Sequence, residues 1–170
     1  MLRLPARLWG ILPNESLKTA VLAPFGPRFI VSVWAVVIDA DDRVLLFRHT
    51  HDRAHPWGLP SGRLEGDETP EEALCREFQE EVAGQIVVRR LVAALREPKL
   101  PALRLAYACD VEVPPMATSI EVDGWAHFPL DDLPASLRGL QRHAITLAQQ
   151  QVDAGRPLTS VTIDWSTMHV

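Results

Sequence analysis

Carboxylates crowd one short stretch of this chain, GRLEGDETPEEALCREFQEEVAG, residues 62–84. Wound as a helix at about 100° per residue, it puts Glu77, Glu80 and Glu81 on one arc about 100° wide. Leu74, Cys75, Phe78 and Val82 form an adjoining stripe suited to a core. The acidic arc therefore borders the buried face, where the wall of a cleft would stand. Like charges at this spacing cost about 0.2–0.5 kcal/mol per pair on an exposed helix, so something must offset the repulsion. Arg76 lies one turn before Glu80 and one turn after Glu72, which supplies an arginine–carboxylate lattice. A hard divalent cation would supply the rest, because Mg²⁺ takes oxygen ligands and commonly bridges carboxylates to substrate phosphates. A solvated, charge-laced helix face would use the same spacing.

These residues need a frame. The spacing predicts a helix from Thr69, a natural cap followed by Pro70 and by Glu72 three residues on, as in a capping box. It should end near Ala83, with Gly84 as the residue that leaves it. Ahead of it, FIVSVWAVVI and RVLLFR, joined by DADD, read as two strands of a hairpin, the first buried on both faces. HTHDRAHPWGLPSG reads as a loop. Beyond the helix, QIVVRRLVAAL and ALRLAYACDVEV read as strands turned by REPKLP, EVDGWAHFPL as another, and residues 134–154 as a closing helix. Irregular interleaving of strands and helices predicts an α/β (α+β) layered domain with a mixed sheet. Residues 1–28 read as a proline-punctuated extension that packs on the domain or mediates a dimer. Residues 29–154 form the domain, and 155–170 a tail.

Composition narrows the function. The chain has 170 residues, 17 Lys+Arg against 22 Asp+Glu, and a net charge of -5. That acidity argues against gripping duplex nucleic acid, but a bound cation can still present a small anion with a positive field. The longest apolar stretch is about half the length of a membrane helix, and no secretory leader is evident, so the expectation is a cytoplasmic protein without a membrane partner. Cys75 and Cys109 are too few for a disulfide scaffold and read as packing residues.

The loop and helix together resemble the Nudix hydrolase family, whose box reads G-x5-E-x7-R-E-U-x-E-E-x-G-U. Gly62 opens it, Glu68 follows, then Arg76 and Glu77, with Phe78 at the first aliphatic position and Glu80 and Glu81 closing the acidic set. Ala83 stands where the family has glycine, with Gly84 one residue late. The resemblance extends over about residues 29–154. It implies an α/β/α sandwich and hydrolysis of a nucleoside diphosphate linked to another moiety, with Mg²⁺ or Mn²⁺. Carried over by position, Glu77, Glu80 and Glu81 would be metal ligands or the base that activates water. Arg76 would orient them, Glu68 would support loop and helix, and the Ser61 carbonyl would be an extra ligand. Glu121 is the candidate acid from outside the box, with Asp123 second. Arg48, Arg53 and Gly62 are candidates for contact with the substrate. His49, His51 and His55 read as scattered histidines of a flexible loop in preference to a zinc site, with a substrate-loop role, Arg48 or Arg53 touching phosphate, as the middle ground; Trp57 and Trp125 read as packing residues more than base-stacking ones. The family favours a homodimer and a nucleotide-type small-molecule substrate. The rival expectation is a nucleotide-binding or regulatory module that kept the fold and lost turnover.

Overall fold

The computed structural model describes residues 29–98 and 100–153. The proposed extension 1–28 and tail 155–170 lie outside the described residues.

Strands β1 (Ile30–Val36), β2 (Arg43–His49), β3 (Trp57–Gly58) and β4 (Ser61–Arg63) precede helix α1 (Pro70–Val82). Strands β5 (Gln85–Arg96), β6 (Ala102–Val113) and β7 (Val122–Pro129) follow, then helix α2 (Gly139–Asp153). One sheet runs β4-β1-β6-β5, with β1 parallel to β6 and the other pairs antiparallel. The other is an antiparallel sheet ordered β3-β2-β7.

Period-two alternation in β1 and β2 builds a core on each face. Val33, Ala35 and Val37, with Leu45 and Phe47, pack toward Leu74, Phe78 and Val82 of α1. Trp34 and Val36, with Val44 and Leu46, pack toward Ala144, Ile145 and Ala148 of α2. The expected layered α/β architecture with a mixed sheet is thus present, strands sandwiched between two helices.

Several local expectations change. The DADD turn is formed, with the Ile38–Val44 bridge and the Asp39 amide donating to the Arg43 carbonyl, but β1 and β2 then diverge into different sheets. Burial on both faces explains this, since each strand takes its partners from distant segments. The stretch read as one loop contains β3 and the first two residues of β4. The closing helix starts at Gly139, not Pro134, because residues 134–138 form a turn in which the Leu137 amide donates to the Pro134 carbonyl. Cys75 is exposed, so the stripe ends at Leu74, Phe78 and Val82, joined by Ala73.

Helix α1 carries the expected capping box: Thr69 accepts from the Glu72 amide, and Glu72 accepts from the Thr69 amide. Its end differs from expectation. The left-handed residue is Ala83 (φ 53°), and Gly84 is there for another reason. A Cβ at Gly84 would lie 2.6 Å from Phe78 Cε1 and 2.9 Å from the Val113 carbonyl oxygen.

Candidate active site

The loop from β4 into α1 is built around a glycine with no room for a side chain. A Cβ at Gly62 would lie 1.9 Å from Cγ of Glu77. That close approach lets Glu77 Oε1 accept from the Arg63 amide at 3.2 Å. Farther along, the Glu65 amide donates to Glu68 Oε1 at 2.7 Å while the Glu68 amide donates back to the Glu65 carbonyl, with Gly66 at φ 48° supplying the turn.

Arg76 ties this loop to the helix. Its Nε and Nη2 donate to the two carboxylate oxygens of Glu68 at 3.0 and 2.9 Å, a forked pair. Nη2 also reaches the Arg63 carbonyl, and Nη1 lies 3.2 Å from both Glu77 Oε1 and Glu80 Oε2. The bond from Arg76 holds the Glu68 carboxyl below its ordinary range. The lattice expected from spacing is therefore present, with one change: Glu72 serves the helix cap instead of Arg76.

Glu81 is the anomaly. It is 7% exposed, on the edge of the α1 core, and its Oε2 is buried without a hydrogen-bond partner. Burial, then repulsion from Glu77, Glu121 and Glu80, pushes its pKa up to about 8. A lone buried carboxylate is costly as an anion, and here it keeps its proton at neutral pH instead.

A cavity of about 550 Å³ opens over these acids. Glu77, Glu80, Glu81, Glu121, Arg76, Gly62 and Ser61 all line it. Glu121 arrives from the turn before β7, which the Thr50 amide and hydroxyl hold by bonding the Glu121 and Ile120 carbonyls. The structure does not bring the two candidate arginines to this cavity. Arg48 is turned out to Asp123, 2.6 Å away, and Arg53 is exposed on the loop after β2, lining neither cavity of the site. Asp123, bound to Arg48, is likewise absent from the lining. Of the tryptophans, Trp57 packs edge-on against Phe128 and Trp125 packs against the α1 core.

Sequence reasoning missed the opposite wall. Ser32 on β1 pairs in register with Arg104 on β6, and Arg104 Nη1 donates to Ser32 Oγ at 2.6 Å. The guanidinium lies 5.9 Å from the centroid of the Trp34 ring. Each residue is a polar interruption in an apolar strand. Their meeting depends on a parallel pairing between strands far apart in sequence. A register shift between Arg48 and His49 marks the end of β2, and His49 turns inward beside His51, ring centroids 5.4 Å apart. Desolvation and then the neighbouring His51 lower the His49 pKa, so this imidazole is neutral at pH 7. A second cavity of about 800 Å³ shares Trp34, His49, His51, Ser61 and Arg104 with the first, so the two are continuous along β4.

The acidic cavity suits a hard cation. Its donors are carboxylate oxygens, and one of them, Glu81 Oε2, lacks a partner. Among the described residues no three His, Cys, Asp or Glu side chains are already drawn into a metal-holding cage, since Glu77 and Glu80 lean on Arg76.

An α/β/α sandwich with an arginine-braced acidic helix under a glycine turn defines the class. A profile of the NUDIX domain matches residues 28–150, and the chain belongs to the NUDIX family. A MutT-like protein of Streptomyces ambofaciens is 35% identical over 83 residues, 49% of this chain and 53% of that protein, so the chain spans about half the length of this curated relative. Among solved structures, a UDP-X diphosphatase superposes with a TM-score of 0.68 at 22% identity, covering 92% of this chain and 79% of the other. An ADP-ribose pyrophosphatase of Streptococcus suis gives 0.63 at 21%, covering 81% and 98%. Identities this low speak for the fold alone. No helix among the described residues is long and apolar enough to cross a membrane.

Proposed function

We propose that this chain is a divalent-cation-dependent hydrolase that cleaves the pyrophosphate of a nucleoside diphosphate linked to another moiety. The observation that carries the reading is Glu81, a buried carboxylate with an unbonded oxygen, surrounded by Glu77, Glu80 and Glu121 at a cavity wall. A structural acid would have a partner. An acid awaiting a cation and a water molecule need not.

Glu77, Glu80, Glu81 and Glu121, with the Ser61 carbonyl, would hold Mg²⁺ or Mn²⁺. When bound, the cation shields the polyanion, acidifies water and stabilises the departing phosphate oxygen. The chain's own groups do the positioning. Gly62 lets the loop lie against Glu77, and Arg76 keeps Glu77 and Glu80 close without closing the cavity to solvent. Glu80, with its side chain 60% exposed and a single arginine contact, is free to turn inward. With a cation held nearby, Glu81 would be the carboxylate whose unbonded oxygen is placed to take a proton from attacking water. Arg104, held by Ser32, would add its positive charge to those of Arg63 and Arg76 around the cavity, where a phosphate needs a counterweight to the acids.

The UDP-X diphosphatase and ADP-ribose pyrophosphatase among the structural neighbours make nucleoside-diphosphate derivatives the first substrates to try. The test is release of phosphorylated products from nucleotide sugars, ADP-ribose, dinucleoside polyphosphates and nucleoside triphosphates, with Mg²⁺ or Mn²⁺. Turnover that needs the cation and favours diphosphate-linked compounds is the expected result. Tight binding without hydrolysis of any of them would identify a binding module instead.

A further inference from the structure

Glu121 is the acid of the smaller cavity that comes from outside α1 and the loop before it. It is exposed, and no hydrogen bond or ion pair holds its carboxylate among the described residues. Its neighbour Ile120 is 93% exposed, so packing does not fix this corner either. The backbone decides where the carboxylate stands, and two hydroxyls grip that backbone. Ser119 Oγ accepts from the amides of Glu121 and Val122 at 3.2 and 3.0 Å, a local turn closed by the Ser119 amide on the Val122 carbonyl. Thr50 reaches in from the end of β2. Its amide donates to the Glu121 carbonyl at 2.9 Å, and its Oγ1 donates to the Ile120 carbonyl at 2.7 Å.

The register explains why Thr50 meets Glu121. Arg48 pairs with Gly124 but His49 pairs with Val122, so Asp123 is an extra residue in β7. Continued without it, the register of Arg48 would set Glu121 opposite His51. The extra residue brings Glu121 opposite Thr50 instead, and Arg48 pins the irregularity through its 2.6 Å pair with Asp123. Val122 and Trp125, three residues apart, both pack toward α1, which an uninterrupted strand would not allow. The loop after Thr50 is itself anchored. The His49 amide donates to the Pro56 carbonyl at 2.7 Å across its base, and Asp52 pairs with Arg138 immediately before α2.

We propose that Thr50 is the positioning residue of Glu121, its hydroxyl fixing the corner from which that carboxylate reaches the cation. Thr50 lines neither cavity, so it acts through Glu121 and not on the cation or the substrate. Its side chain is exposed, where a hydroxyl contributes little to stability, and what it supplies is a fixed direction for the acid. The proposal deepens the hydrolase reading and rests on it for the cation, but its test is cation binding, which needs no turnover.

The experiment is titration of the full chain with Mn²⁺, the free ion read by electron paramagnetic resonance. The proteins compared are wild type, Thr50→Val, Thr50→Ser, Glu121→Gln and the double variant of Thr50→Val with Glu121→Gln. Thr50→Val keeps the shape and the backbone amide and removes the hydroxyl, so affinity should fall about tenfold with the thermal midpoint unchanged. Thr50→Ser restores a hydroxyl and should bind as the wild type does. In the Glu121→Gln background Thr50→Val should cost nothing further, because the carboxylate it positions is already gone. Wild-type affinity in Thr50→Val, or the same loss in both backgrounds, would overturn the proposal and leave the hydrolase reading standing. Hydroxyl-dependent Mn²⁺ binding without hydrolysis of any diphosphate-linked compound would do the reverse. Absence of Mn²⁺ binding to the wild-type chain would overturn both.

Discussion

At the scale of single residues, the account turns on Glu81. Replacing it by glutamine keeps the shape and removes the charge. Glu81→Gln should fold normally and lower turnover by about two orders of magnitude or more, measured as product release at saturating Mg²⁺. The same substitution should stabilise the cation-free protein in alkaline solution. The folded chain holds this proton up to about pH 8, whereas an unfolded carboxyl releases it near its ordinary value of 4.5. The folded state therefore binds more protons through that window, and stability falls as pH rises across it. Denaturant melts of the metal-free wild-type chain at pH 5 and pH 8.5 should show that loss, and Glu81→Gln should not. The candidate site was legible as a set of positions, because the box is contiguous and its acids come from one helix and the loop before it. Arg104 and Ser32 were not, since nothing local marks a parallel strand pairing across some seventy residues of chain.

At the scale of elements, the ends of α1 decide the geometry. Ala83 occupies left-handed backbone, φ 53°, where a Cβ is strained and glycine is not. Ala83→Gly should stabilise the protein by about 1 kcal/mol, read from denaturant midpoints, with catalysis unchanged. The family glycine missing from this position thus corresponds to a specific backbone demand, while Gly84 answers to the packing of Phe78. At the other end, Gly62→Ala would drive a methyl group into Glu77, 1.9 Å from Cγ. Turnover should drop by about a hundredfold through displacement of that carboxylate, with far-ultraviolet circular dichroism preserved. Helix α1 was readable to within a residue because cap, proline and apolar stripe agree. The hairpin was readable only as a turn. Strands with both faces apolar carry no mark of which neighbour they will choose, and β1 chose β4 and β6 over β2. Short strands β3 and β4 hide among prolines and glycines that ordinarily punctuate loops.

At the scale of the whole molecule, the two cores and the two cavities are linked by the same strands. Trp34 stands in the α2 core and at the wall of both cavities, so the packing of that core and the shape of the cavities share a residue. The loop after β2 is tied across the larger cavity by the ion pair of Asp52 with Arg138, which holds the Asp52 carboxyl down to about 2. Because Glu81 is held protonated by its surroundings, binding of a divalent cation must expel that proton, and occupancy should couple to pH. Mn²⁺ should therefore raise the melting temperature more at pH 8 than at pH 6. The most direct test is calorimetric titration of the substrate-free protein with Mn²⁺ at pH 7, repeated in buffers of different ionisation enthalpy to count the protons released. The wild-type chain should release about one proton per bound cation, and Glu81→Gln should release far less. No binding at millimolar Mn²⁺, or binding with the same proton release in both proteins, would contradict the account.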